Sequence, residues 1–177
     1  MASNSILTYC GNRFDFAEPW RSEISIIDIA HALSNICRFG GHCSRFYSVA
    51  QHSVMVSRIV PAEHAPTALM HDATEAYLGD ISRPLKAMLP DYRCLDAAVE
   101  EEVSMYYGVT RPLPDCVIHA DLVMLATEKR DLMPQDREEW ACLKGIEPLP
   151  ERIFPLPPEE AKGLFLDRFY GFLTTLM

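Results

Sequence analysis

The chain has 177 residues, 49% hydrophobic and 23% charged, with a mean hydropathy of −0.02. That profile fits one globular domain over 1–177 rather than two, and no apolar run approaches the roughly 18 residues that a membrane span needs. Its net charge of −9, from 16 basic and 25 acidic residues, argues against a duplex nucleic-acid partner and obliges any anionic ligand to find a local cation.

The opening MASNSILTYCGNRFDF has no basic segment followed by an apolar one, so no secretory signal is expected. ILTYCGNRFDF reads as a small β-hairpin turning at Gly11-Asn12. From Ile24 the period becomes helical: Ile27, Ala30, His31, Ser34 and Cys37 share helical spacing, and Gly40-Gly41 supplies a stop. Ser48 followed by Gln51 is a capping box that starts a helix reaching toward Pro61 and carries His52. A further helix is expected from about Ala65 to Leu78, with Gly79 as its stop.

SRPLKAMLPDY reads as a connector with one helical turn. LDAAVEEEVSMYYG is a long helix ending at Gly108, and Pro112 and Pro114 open DCVIHADLVMLATEKRDLM. The proline-dense stretch QDREEWACLKGIEPLPERIFPLPP wraps the surface, and EEAKGLFLDRFYGFLTTL closes the chain as a helix. The expectation is an all-α domain of five to seven helices with a minor β element. The six cysteines form no CxxC pair, so a reduced, cytoplasmic protein is expected, with neither a disulfide framework nor a thiolate zinc site.

Four candidate metal ligands fall on three expected helices: His52, His71 with Asp72, and Asp121. Each sits among apolar neighbours (VAQHSV, LMHDAT, HADLVML), and a buried carboxylate is costly unless it is paired or bound to a cation. Imidazole and carboxylate without thiolate suit a divalent Co, Mn, Zn, Fe or Ni ion, and Mg is compatible.

The order H…HD…D, with these flanks, resembles the HD-domain metal-dependent phosphohydrolase superfamily. The strings SNICRFGGH, RFYSVAQHSV, LMHDATEAYLGDI, RPLKAMLPDY and ADLVMLATEKRDL, spread over about Ile24 to Asp131, resemble its 5′-deoxynucleotidase branch, found in bacteria, prophages and phages. The resemblance implies an HD-domain-like helical bundle and a metal held by His52, His71, Asp72 and Asp121. It places a catalytic acid of the pattern HDxxE on Glu75, which on a continuous helix lies over His71 at i+4, and a second acid on Asp80. The family's arginine-aromatic pair falls on Arg38 and Phe39, where better-known members have Trp, and Lys86 of SRPLK is a second candidate phosphate contact. The implied reaction is removal of the 5′-phosphate from deoxynucleoside monophosphates by a metal-activated water. A homo-oligomer, dimer or larger, is implied too.

Blander readings compete at several positions. His31 is expected to pack, His64 to lie on the surface, and His119 to point about 200° away from Asp121. The EKRD run at 128–131 reads as a solvated face. His42, after the double glycine, is a candidate substrate contact at a pocket mouth. Two other functions share these residues: a deoxynucleoside triphosphate triphosphohydrolase, and a metal-bound nucleotide sensor or assembly partner without turnover.

Overall fold

The computed structural model describes residues 3–175. Within them lie eight α-helices and one two-stranded antiparallel sheet. Strands β1 (Ser5–Leu7) and β2 (Arg13–Asp15) pair with Ile6 opposite Phe14, and the turn closes through Thr8 N–H to Asn12 O at 2.9 Å. Gly11 takes φ 86° there, a conformation that a side chain would strain. Phe14 is fully buried and stacks on Tyr77 at 4.0 Å, so the hairpin is glued to the helical body.

Helix α1 (Ile26–Asn35) starts at Ser25, whose hydroxyl accepts from Ile27 N–H. It stops earlier than its periodicity suggests. Ile36 and Cys37 turn extended, Cys37 makes a β-bridge to Ser48, and Arg38 N–H bonds Tyr47 O at 2.9 Å. Phe39, Gly40 and Gly41 then all take positive φ.

Helix α2 (Val49–Ile59) is capped by Ser48, whose hydroxyl accepts from Gln51 N–H at 3.1 Å. Only half of the expected capping box forms. The Gln51 amide turns instead to the proline-rich segment, donating to Phe154 O and accepting from Leu156 N–H, both at 2.9 Å.

The continuous helix expected from Ala65 to Leu78 is broken. Helix α3 (Ala65–Leu69) and helix α4 (Glu75–Leu78) are separated by a turn holding His71, Asp72 and Thr74. Its backbone bonds span three residues (Ala73 N–H to Met70 O, Glu75 N–H to Asp72 O), as expected where Asp and Thr favour turns over helix interiors. Helix α5 (Arg83–Ala87) is the connector's single turn. Helix α6 (Pro90–Tyr107) begins earlier than read and ends at Gly108 in the left-handed conformation. Helix α7 (Asp115–Leu132) and helix α8 (Pro158–Thr175) follow. The break in α3–α4, with the short α5, takes the helix count past the expected five to seven.

Helix α2 is the central element, packing against α1, α3, α7 and α8. Two apolar clusters meet on it: one around Phe14, Ile29, Leu33, Val54, Leu69 and Phe165, the other around Tyr47, Val56, Met124 and Ile153. No helix among the described residues is long and apolar enough to cross a membrane.

Candidate metal centre

His52 stands in the second turn of α2 between the two apolar clusters and is fully buried. Its Nδ1 lies 2.6 Å from Glu128 Oε1. A carboxylate only accepts, so Nδ1 carries the proton and Nε2 faces inward. His71 repeats the logic at the chain break: its Nδ1 is 2.8 Å from Ala68 O, in the last turn of α3, where carbonyls lose their helical partners. Arg111 Nη2 donates to His71 O at 3.2 Å and holds the other side of the break.

The two imidazoles lie 5.4 Å apart, centroid to centroid, with both Nε2 atoms buried and making no directed hydrogen bond. Asp72 Oδ2 sits 3.1 Å from His71 Nε2 and 3.6 Å from His52 Nε2. One ligand atom from each of His52, His71 and Asp72 lies within 4.8 Å of the others. Asp121 joins at the His52 edge, with Oδ1 3.2 Å from Nε2. Were both rings neutral, their Nε2 lone pairs would face two carboxylates and repel them, so a proton or a cation must lie between. This donor set therefore fits a divalent cation.

Around the four runs a ring of charge. Burial and Arg38 oppose a positive His52, but Glu128 and Asp121 overcome them and raise it to about 9. Burial would lift Asp72 and Asp121, yet both are held below the carboxylate range, Asp72 chiefly by His71 and Asp121 chiefly by His52. Glu75 goes the other way. Burial, then Asp72 and Asp80, push its carboxyl well up, and its Oε2 is buried without a hydrogen-bond partner. With the helix broken, Glu75 opens α4 instead of sitting on one continuous helix with His71. Burial raises Asp80 as well, with Asp72 adding to it and Arg38, His52 and the Phe39 N–H working against it.

Glu128 departs from its sequence context. The EKRD run reads as a solvated face, yet Glu128 is fully buried. One of its oxygens takes His52 Nδ1 and the other takes Arg38 Nε at 3.3 Å and Nη2 at 3.0 Å. A signal was there to be read: Glu128 is seven residues from Asp121, two turns along the same face of α7.

Arg38 is buried beside the cluster. Burial opposes its charge, while Glu128 and Asp72 favour it and hold it above its ordinary value; Nη1 lies 3.7 Å from Asp72 Oδ2. Phe39 is half-buried, 6.4 Å from Trp140, with the Arg38 guanidinium 5.5 Å from its ring. Lys86 is tied to Asp96 at 3.0 Å and lies over the Tyr92 ring. His42 is exposed, and among the described residues none of the cluster's ion pairs includes it. All six cysteines are free thiols, with Cys37 Sγ 3.5 Å from Cys43 Sγ.

No protein-family model matches the chain. The protein is 48% identical over 166 residues to the uncharacterized protein YfdR of Escherichia coli K12, an alignment covering 93% of each chain. It is 30% identical over 185 residues to the uncharacterized protein RCAP_rcc00048 of Rhodobacter capsulatus, covering 94% of each. Identity at that level over nearly the whole of both chains makes the protein a member of the YfdR family.

Proposed function

We propose that the protein is a divalent-metal phosphohydrolase of the HD-domain type that removes the 5′-phosphate from deoxynucleoside monophosphates. The observation that carries this reading is the placement of the two imidazoles: Glu128 and the Ala68 carbonyl engage both Nδ1 atoms, so both Nε2 atoms turn toward the carboxylates of Asp72 and Asp121. The ordered HD-type strings supply the reaction class. His52, His71, Asp72 and Asp121 would hold the ion, which when bound supplies Lewis acidity toward the phosphoryl oxygens and the attacking water.

The remaining steps belong to the chain. Glu75 keeps a buried, unpartnered oxygen beside Asp72. Its carboxyl would take a proton from the attacking water and return it to the leaving oxygen. Arg38 and the Phe39 N–H favour the Asp80 carboxylate, which would help to orient the segment that carries both. Phe39 would offer its half-buried ring to a nucleobase, while Lys86 is held by Asp96 and His42 stands exposed.

The test is product analysis of dAMP and dATP, each incubated with Co²⁺, Mn²⁺, Mg²⁺ or Zn²⁺ and with chelator. The expected result is phosphate and deoxyadenosine from dAMP, abolished by chelator. In Glu75→Gln the rate should fall about 10²–10⁴-fold, the usual share of a general acid-base, with metal content retained. Triphosphate from dATP with dAMP untouched would replace this reading by the triphosphohydrolase. No product from any deoxynucleotide would leave a binding site without turnover.

A further inference from the structure

From the geometry we infer that Arg83, at the start of α5, is the residue that grips the substrate's phosphate; this rests on the phosphohydrolase reading. Asp72 and Asp121 are the cluster's solvent-facing members, with side chains 21% and 25% exposed, whereas those of His52 and His71 are 0% and 4% exposed. A ligand therefore approaches from the Asp72–Asp121 side. Five carboxyl groups (Asp72, Glu75, Asp80, Asp121 and Glu128) bear on this centre. These carboxyls oppose a phosphate dianion, and beyond the bound ion a side-chain cation with free donors at the mouth would offset that repulsion and orient the phosphate.

The other two basic residues near the centre are largely engaged. Arg38 is buried and gives Nε and Nη2 to Glu128, leaving only Nη1, 3.7 Å from Asp72 Oδ2, without a hydrogen bond. Its position braces the imidazole of His52 through Glu128, and withdrawing it would leave a buried carboxylate unpaired. Lys86 Nζ is 3.0 Å from Asp96, and Tyr92 faces it.

Arg83 differs on each count. Its side chain is 70% exposed, and its ion pair is the loosest in the cluster: Nη2 to Asp121 Oδ2 at 3.9 Å. Asp121 thus presents one oxygen to His52 and the other toward Arg83. At 3.9 Å the guanidinium is near the centre, is not hydrogen-bonded to Asp121, and retains its fork of donors for two phosphate oxygens. A surface pair of this kind contributes little to folding, so its removal is clean.

The experiment measures phosphate affinity and turnover separately. Inorganic phosphate is titrated calorimetrically into Mn²⁺-loaded wild type, Arg83→Ala and Arg83→Lys, and dAMP kinetics are run in parallel. In Arg83→Ala the phosphate Kd and the KM for dAMP should each rise about tenfold or more, the size of one charge-assisted contact. kcat should change less, with Tm and Mn²⁺ content as in wild type, and Arg83→Lys should recover only part because it lacks the fork. Unchanged Kd and KM in Arg83→Ala, with phosphate still binding wild type, overturn the role of Arg83 and leave the phosphohydrolase standing. Wild type that neither binds phosphate nor turns over dAMP sinks the phosphohydrolase reading and this inference with it.

Discussion

Glu128 accepts from His52 on one oxygen and from Arg38 on the other, with no exposed surface. Partners behind a metal-binding histidine typically matter about 10–100-fold in affinity. Glu128→Gln should therefore weaken Mn²⁺ binding by that order, measured by competition with a chelating dye, and lower the Tm because Arg38 loses its counter-charge. Unchanged affinity would mean that His52 is oriented by packing alone. His52 also predicts a pH dependence. Its folded value of about 9 lies above the ordinary 6.5, so its contribution to stability is complete below about 6.5 and is lost as the pH rises through about 9. Thermal melts in excess chelator should show Tm falling across that window. A flat profile would place a neutral His52 there. The same titration explains how Asp72 and Asp121 tolerate each other: the charge between them is either a proton on the ring or a cation in front of it.

At the scale of elements, the centre is assembled from a turn, the start of one helix and the middle of another. The turn between α3 and α4 supplies His71 and Asp72, the second turn of α2 supplies His52, and one face of α7 supplies Asp121 and Glu128. Breaking the helix at Met70 lets the His71 ring bond the Ala68 carbonyl, which an unbroken helix would satisfy through its own backbone. The start of α2 rests on the Ser48 hydroxyl. Ser48→Ala should cost about 1 kcal/mol of stability, read by urea denaturation, and should also loosen metal binding because His52 lies four residues on. A stability loss with unaltered metal affinity would show that the packing around His52 holds the ring without the cap.

For the whole molecule, the proline-rich segment behaves as a strap. Gln51 grips it at Phe154 and Leu156, beside His52, and Asp131 and Thr127 accept from Ile153 N–H and Leu149 N–H on the α7 side. The proposed ligands come from elements separated by up to 69 positions (Asp121 and His52), so a bound ion cross-links the folded chain and has no comparable site in the unfolded one. Mn²⁺ at about 100 times its Kd should add about 2.7 kcal/mol, a Tm rise of roughly 5–10 °C for a chain of this size. A Tm indifferent to every divalent ion tested would remove the metal centre from consideration.

The hairpin at Gly11, the Ser48 start of α2, the Gly108 stop of α6 and the apolar neighbourhoods of His52, His71, Asp72 and Asp121 were all legible in the sequence, because each depends on residues within one or two turns of itself. Nearby residues likewise favour a turn at Asp72 and Thr74, but that signal lost to the stronger helical period of the apolar residues around it. The fate of Glu128 and Arg38 was decided only in three dimensions. Ninety positions separate them, and a charged run looks solvated until a partner from another element arrives to neutralise it. The exposed position of Arg83 beside Asp121 is of the same kind. Local sequence sets which side chains can serve as ligands; long-range packing decides which charges are already paired and which remain free for a substrate.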